Sequence, residues 1–227
     1  MYATTTASKS ACPSPDDYMK SFEGADNIVV VTITGTLSGS YNSAEIAKKI
    51  YLEEHPDTKI HVIDSLSAGG EVDLLVRKLN HLVAEGLEFD QVLDAITAYQ
   101  AKTKLLFVLA KVDNLVKNGR LSKLVGTVVG LLNIRMVGEA SKTGTLELLQ
   151  KARGQKKAIK AAFDELIKAG YTGGHITIAH RNNDKFIEQF SALVREKFAQ
   201  ASIEVLPTSG LCSFYAEEGG LLMGYEI

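Results

Sequence analysis

The sequence predicts an α/β fold with two lobes, each built on a largely parallel or mixed sheet. The run NIVVVTIT (27–34) is apolar on successive residues, which is typical of a strand buried on both faces, and KIHVID (59–64) is the next predicted strand. Each is followed by a longer segment with helical periodicity. After about residue 110 this alternation gives way to strand pairs and shorter helices. We therefore predict an N-terminal lobe over residues 1–107 and a C-terminal lobe over residues 108–227.

The elements of the N-terminal lobe follow from spacing and capping signals. A Pro-started helix is predicted in PSPDDYMKSF, and a second helix over 42–54, after the first strand. The strand at 59–64 leads to a helix over 68–85. Asp90 is a plausible N-cap for the next helix, QVLDAITAYQ, and a strand follows over 104–110.

The C-terminal lobe is predicted with more strands than helices. Helices are expected over about 112–118, 122–132, 155–169 and 184–198. Strands are expected over about 133–140, 145–152, 175–180, 202–207, 211–215 and 221–226.

Composition excludes several functional classes. The 227 residues carry a net charge of −2, so no general basic field favours nucleic acid. No apolar run reaches the roughly 18 residues of a spanning helix, so we expect no stable membrane insertion. The opening residues lack the apolar segment of a signal peptide, and we expect a cytoplasmic protein. Two isolated cysteines and five scattered histidines predict neither a metal site nor a cofactor.

The loop TGTLSGS (34–40) is the strongest candidate binding element. It follows a buried strand and opens a helix, where free N–H groups favour an anion. Gly35 and Gly39 permit close approach of the backbone, and the hydroxyl side chains add donors. The spacing matches neither the hydrolase elbow nor a Walker loop. The loop alone is equally consistent with a simple helix-capping turn.

Other polar residues are individually ambiguous. Arg120, after a helix-ending glycine, is as a single residue more typical of the surface than of a ligand clamp. Arg153, Lys156 and Lys157 lie at a predicted helix start, where cations oppose the helix dipole, so local folding does not explain them. They could still form a solvated face. His180 ends a predicted strand and is more simply read as a structural histidine.

Taken together and in order, four stretches resemble the DegV family of bacterial fatty-acid-binding proteins. The stretch TLSGSYNSAEIA (36–47) resembles the family's Leu-Ser-Gly-Thr-Tyr-Gln-Ser-Ala segment, and HVIDSLSAGG (61–70) resembles its Val-Ile-Asp-Ser segment. The stretch NGRLSKLVGTVVGLLNIRMV (118–137) resembles its Gly-Arg-Ile-Ser segment followed by Leu-Leu-Asn-Ile-Lys-Pro. The stretch KARGQKKAI (151–159) resembles its Lys-x-Arg-x-Lys-Lys-Ala segment.

The resemblance implies a carrier rather than a stand-alone enzyme. Such proteins bind one fatty acid between two lobes and present its carboxylate to a separate kinase, which makes the acyl phosphate. By this resemblance Ser38 holds the carboxylate, Gly39 and Thr36 line the site, and Arg120 lies near its mouth.

The Thr/Ser-rich start of the chain resembles the family's Thr-Thr-Ser-Gln-Pro site in two possible registers. With Pro13 as the anchor, the binding residue is Ser10. The other register points to Thr5 and Thr6. Both alternatives stay open.

The resemblance assigns two further surfaces. Arg153, Lys156 and Lys157 fall on a basic patch that is expected to dock the kinase. The stretch 125–134 (VGTVVGLLNI) is a candidate wall of the acyl tunnel, although core packing explains each of its residues equally well.

Two departures from the family pattern stand out. The family's opening strand, which ends in Thr-Asp-Ser, has no counterpart here, so one sheet edge is expected to be exposed. Near the end, Tyr215 stands where the family often has His. Glu217 and Glu218 follow it and would repel a carboxylate unless they point away.

Two alternatives compete with the carrier. The first is an enzyme acting on a small carboxylated or phosphorylated ligand at the same loop, with Asp64 or His180 as general base. The second is an interaction module without a ligand. A carrier requires a long apolar cavity, whereas such an enzyme requires a small polar cleft.

Overall fold

The structure, a computed structural model, describes residues 8–121 and 133–227. The helices among them are α1 (Pro15–Phe22), α2 (Ser40–Glu54), α3 (Gly70–Ala84), α4 (Phe89–Gln100), α5 (Asp113–Lys117), α6 (Gln155–Lys168), α7 (Asp184–Lys197) and α8 (Gly210–Ala216). The strands are β1 (Asn27–Thr32), β2 (Lys59–Asp64), β3 (Thr103–Leu109), β4 (Ile134–Ala140), β5 (Leu146–Arg153), β6 (His175–His180), β7 (Ser202–Pro207) and β8 (Leu221–Glu226).

The strands form two sheets, which confirms the mixed α/β class. Strands β1 and β2 pair in parallel, and we call the part of the chain around them the first lobe. The other six strands form the second lobe in the order β5-β4-β3-β8-β6-β7. Within the described residues, β6 and β7 are the parallel pair of this larger sheet, and its other pairs are antiparallel.

Strand β3 joins the larger sheet, although its sequence continues the strand–helix alternation of the first lobe. It lies between β4 and β8 and pairs antiparallel with both. Six of its seven residues are buried, which requires neighbours on both edges and both faces. The predicted division between residues 107 and 108 falls inside this strand and stays a prediction.

The predicted strand over 211–215 is wrong, because these residues belong to helix α8. Leu211, Cys212, Tyr215 and Ala216 line one cavity, and their spacing is that of a helical face. The short apolar run did not distinguish a strand from a helix.

The start of α4 also differs from the prediction. The N-cap is Glu88 rather than Asp90, which lies inside the first turn. The Glu88 N–H donates to Gln91 Oε1 at 3.1 Å, so the cap lies two residues earlier than expected. The predicted helix over 122–132 lies outside the described residues.

Helix α3 connects the two lobes. Leu75, Leu79 and Leu82 pack with Ile63 of β2 in the core of the first lobe. The opposite side of α3 contacts β8 and β6 of the larger sheet. Helix α3 is therefore packed against elements of both sheets, while Val83 stays exposed.

This contact depends on two glycines that bring backbones together. A Cβ on Gly70 would overlap Thr177 O, and a Cβ on Gly224 would overlap the backbone of Glu71. Backbone atoms cannot yield to a side chain as a flexible side chain can. Residues larger than glycine would therefore push α3 away from the sheet.

No helix among the described residues is long and apolar enough to span a membrane. Within the same residues, no group of three or more His, Cys, Asp or Glu side chains is arranged to hold a metal ion.

We predict that Gly224→Ala destabilises the protein by about 1–3 kcal/mol or more, because the new methyl group meets backbone. Thermal unfolding followed by circular dichroism measures this. Val83→Ala, on the exposed side of α3 at 60% exposure, is the control and should change little. An unchanged melting temperature in Gly224→Ala would contradict the close contact.

Candidate ligand-binding site between the lobes

A cavity of about 380 Å³ lies between the lobes, within the usual range for small-molecule sites. Most of its wall is apolar. The apolar part includes Ile33, Leu37, Phe107, Leu109, Leu115, Leu146, Leu211, Ala216 and Leu222. The polar side chains are Ser10, Ser38, Ser40, Arg120 and Tyr215, together with the thiols of Cys12 and Cys212. Such a wall suits a mostly apolar ligand with one polar end.

The apolar wall arises from strand alternation in β3. Phe107 and Leu109 belong to the cluster beside the cavity, whereas Leu106 and Val108 belong to the core under α6 and α7. Successive side chains of a strand point to opposite faces, so one strand serves both cores.

The Gly/Ser loop forms a tight turn at the start of α2. The N–H groups of Leu37 and Ser38 donate to Thr34 O at 3.1 and 3.2 Å. Ser38 Oγ lies 2.9 Å from Ser40 Oγ, and the Ser40 N–H donates to Ser38 Oγ at 3.2 Å. The Ser38 hydroxyl is thus held in place on the cavity wall.

Gly39 allows close packing of the N-terminal loop, although its φ of −72° and ψ of 0° are open to any residue. A Cβ at this position would lie 3.1 Å from Cys12 Sγ, so glycine lets the N-terminal loop lie against the start of α2. Gly39 is the N-cap of α2 and supplies no side-chain capping bond. Both residues line the cavity.

Thr36 lies on the outer side of the loop rather than on the cavity wall. Its hydroxyl donates to Gly144 O at 2.6 Å, which ties the loop to the β4–β5 turn of the other lobe. Thr36 lines a second, more open depression together with Ser38, Gly39 and Arg120. Its predicted role as a lining residue stays a prediction.

Arg120 bridges the lobes at the polar end of the cavity. Its Nε donates to Leu37 O at 2.8 Å, and its Nη1 donates to Asn118 O at 3.1 Å. Its Cζ lies 5.0 Å from the centroid of the Tyr215 ring, within the range of a cation–π contact. The Arg120 guanidinium is therefore held by the Gly/Ser loop, by the loop after α5 and by α8.

Ser10 and Tyr215 meet across the same end. Their hydroxyl oxygens are 3.0 Å apart. The N-terminal loop is anchored nearby, because Ser43 Oγ donates to Pro13 O at 2.7 Å. The register that points to Ser10 thus places a hydroxyl on the cavity wall.

The alternative register points to two residues nearer the start of the chain. Thr5 and Thr6 lie outside the described residues, and so do residues 125–132 of the predicted tunnel wall.

The two acids after Tyr215 point away from the cavity. Glu217 Oε1 accepts a bond from the Asn114 N–H at 2.8 Å. Glu218 Oε2 lies 3.5 Å from Arg181 Nε, on the surface. The expected repulsion of a bound carboxylate therefore has no source in these two residues.

The two candidate general bases, Asp64 and His180, do not line the cavity. The Asp64 carboxylate accepts bonds from the N–H groups of Gly35, at 3.2 Å, and Leu66, at 2.9 Å. His180 Nδ1 accepts from the Asn183 N–H at 3.3 Å. Among the described residues that line the cavity there is no carboxylate and no imidazole.

The sequence reasoning missed the two cysteines as site residues. Cys12 approaches from the N-terminal loop and Cys212 from α8, and burial raises the pKa of the Cys212 thiol. Cys212, Tyr215 and Ala216 have the spacing of one helical face, which could have placed Cys212 on the same surface as Tyr215. The prediction of a strand over 211–215 hid this relation.

The basic patch lies apart from the cavity. Arg153 ends β5, Lys156 and Lys157 lie in the first turn of α6, and all three are exposed. That first turn contains no acidic residue to offset them.

The family model described as "Uncharacterised protein, DegV family" matches residues 1–225. The chain belongs to the DegV family. A DegV domain-containing protein of Streptococcus pneumoniae (strain ATCC BAA-255 / R6) is 78% identical over all 227 residues, which cover 81% of that protein. A DegV domain-containing protein of Streptococcus gordonii is 77% identical over the same span.

Solved structures of DegV proteins share the fold and contain fatty acids. The Fatty Acid Kinase (Fak) B3 protein of Streptococcus pneumoniae, loaded with linoleic acid, matches with a TM-score of 0.97 and 78% identity over 100% of this chain and 81% of its own. A DegV protein of Eubacterium eligens, loaded with heptadecanoic acid, matches with a TM-score of 0.94 and 39% identity, covering 99% and 82%.

We predict that Ser10→Ala and Tyr215→Phe each lower the free energy of unfolding by about 0.5–1.5 kcal/mol, because each removes one partner of the same hydrogen bond. The double variant should then be no less stable than either single variant. Chemical denaturation of the wild type and the three variants measures this. Fully additive losses would contradict the mutual hydrogen bond.

Proposed function

We propose that this protein binds one long-chain fatty acid in the cavity and presents its carboxylate to a separate kinase. It is a lipid carrier and not itself an enzyme. The observation that carries the proposal is the apolar cavity between the lobes, whose polar end is formed by Ser10, Ser38, Arg120 and Tyr215.

The apolar wall supplies most of the affinity. Each buried methylene group is worth about 0.8 kcal/mol, so a chain of about 16 carbons gains on the order of 10 kcal/mol before ordering costs. The polar end then contributes orientation, because a carboxylate buried among leucines would lose its hydration.

The polar end suits an anion. The Ser38 hydroxyl can donate, the amides at the start of α2 carry partial positive charge, and Arg120 supplies a full charge. Glu217 and Glu218 point away from this end, so neither opposes the ligand.

The carboxylate end lies where a kinase could reach it. The outer depression is lined by Ser38, Gly39 and Arg120, which also line the inner cavity. The ligand head therefore lies one loop away from open surface. The exposed Arg153 and its neighbouring lysines offer the kinase a separate docking patch.

The enzyme alternative has less support. General acid–base chemistry needs a titratable group within hydrogen-bond reach of the ligand, and the described cavity wall has none with a carboxylate or imidazole. Asp64 accepts from the Gly35 and Leu66 N–H groups, and His180 accepts from the Asn183 N–H. Neither side chain lines the cavity.

The direct test is to purify the protein, extract it with organic solvent and analyse the extract by mass spectrometry. A near-stoichiometric fatty acid supports the carrier and identifies the chain. An empty extract, with no thermal stabilisation on adding fatty acids, would contradict the proposal and favour the interaction module.

We predict that Ala68→Phe, which adds a ring at the cavity wall, weakens fatty-acid binding by about tenfold or more while the fold persists. Ala84→Phe, on an exposed position of α3, is the matched control and should bind normally. Fluorescent fatty-acid displacement measures both. Normal binding by Ala68→Phe would remove this cavity as the acyl site.

We predict that Arg153→Glu combined with Lys157→Glu slows phosphorylation of the bound fatty acid by the kinase and leaves lipid affinity unchanged. The control reverses the same number of charges at Lys49 and Lys102, which are exposed on the other lobe. If the patch variant loses lipid as well, its role is structural rather than docking.

A further inference from the structure

Three features of Glu217 are unfavourable for a glutamate: its burial, its backbone conformation and the raised pKa of its carboxyl group. It is only 2% exposed, and its backbone lies at φ 56° and ψ −175°, a region occupied almost exclusively by glycine. Burial also raises the pKa of its carboxyl group. A glutamate in this position requires a compensating contact.

That contact is a joint between two short helices. Glu217 directly follows α8, and its Oε1 accepts the N–H of Asn114, the second residue of α5, at 2.8 Å. The Asn114 side chain returns the contact, since its Nδ2 donates to Phe214 O at 2.8 Å. The first N–H groups of a helix have no partner within the helix, so Glu217 satisfies a donor that would otherwise be unpaired.

This contact between α5 and α8 (the joint) positions both Arg120 and Tyr215, whose side chains face each other at the polar end of the cavity. Tyr215 lies two residues before Glu217, in the last turn of α8. Arg120 is attached to the far end of α5, because its N–H donates to Leu115 O at 2.9 Å. A rotation of α5 on α8 would therefore separate the guanidinium from the Tyr215 ring.

We infer that Glu217 is a positioning residue: by clamping α5 onto α8 it fixes Arg120 against Tyr215, and so sets the geometry that recognises an anionic ligand head. The inference rests on the proposed function and adds to it. Glu217 acts through the helices and does not touch the ligand, since it does not line the cavity.

The neighbouring Glu218 provides a matched comparison. It carries the same charge one residue later, but it lies on the surface beside Arg181 and Asn182 and takes no part in the joint. A general effect of negative charge near the cavity would be shared by both residues. A clamp effect belongs to Glu217 alone.

The first experiment compares Glu217→Gly, Glu217→Gln and Glu218→Gln in binding a fatty acid and the fatty alcohol of the same chain length. Glycine relieves the backbone strain but removes the acceptor, whereas glutamine keeps an acceptor oxygen. We expect Glu217→Gly to weaken the acid by about tenfold, and the alcohol much less. Glu217→Gln should lose less than Glu217→Gly, and Glu218→Gln should match the wild type. Equal losses for acid and alcohol would overturn the positioning role.

A double-mutant cycle tests whether the effect passes through Arg120. In an Arg120→Ala background, Glu217→Gly should cause little further loss of acid binding. Independent, additive losses would overturn the inference, because they would mean that Glu217 acts by another route.

A ligand-free measurement separates the clamp from the proposed function. Hydrogen exchange over residues 113–121 should quicken in Glu217→Gly and stay unchanged in Glu218→Gln. Unchanged exchange in Glu217→Gly would overturn the clamp even if fatty acid binds. Absence of fatty-acid binding by the wild type, with faster exchange in the variant, would overturn the proposed function and the assigned ligand head while leaving the clamp itself intact.

Discussion

The whole arrangement depends on the close approach of two backbones, at Gly70 on α3 and Gly224 on β8. Because neither position has a side chain, the helix of the first lobe lies directly on the sheet of the second. This contact sets the separation of the lobes. The cavity adjoins this contact, since Ala68 and Leu222, two residues before Gly70 and Gly224, lie on its wall.

Around that cavity the polar contacts cross between lobes. The Thr36 hydroxyl reaches Gly144 O, the Arg120 guanidinium reaches Leu37 O, and the Ser10 and Tyr215 hydroxyls meet. Of these groups, Arg120, Ser10 and Tyr215 also form the polar end of the cavity. Under the proposed function, a ligand head in this position would contact both lobes at once, and its acyl chain would lie against the apolar wall.

Local patterns were sufficient to predict most of the fold. Short apolar-rich runs located β1 and β2, and helical periodicity located α2, α3, α6 and α7 within a few residues. The Gly/Ser loop was identified from its position between a buried strand and a helix. Those features did not identify a ligand for the loop. The fatty acid was predicted only from the resemblance to the DegV family.

Several of the misses concern features that depend on parts of the chain far away in sequence. The stretch 211–215 is too short for its pattern to distinguish a strand from a helix, and in the structure it belongs to α8 on the cavity wall. The partners of β3 lie far along the chain. Likewise, nothing near Glu217 in sequence shows that its carboxylate caps α5, about a hundred residues earlier.

The most direct test of the central claim uses a fatty acid labelled with carbon-13 at its carboxyl group and bound to the protein. If the carboxylate lies beside Ser38, we expect one carboxyl resonance that differs from that of the free acid. This resonance should shift when Ser38 is changed to Ala. Ser21→Ala, in α1 and outside the cavity lining, should leave it unchanged. A carboxyl resonance that does not respond to Ser38→Ala would place the ligand head elsewhere and contradict the account.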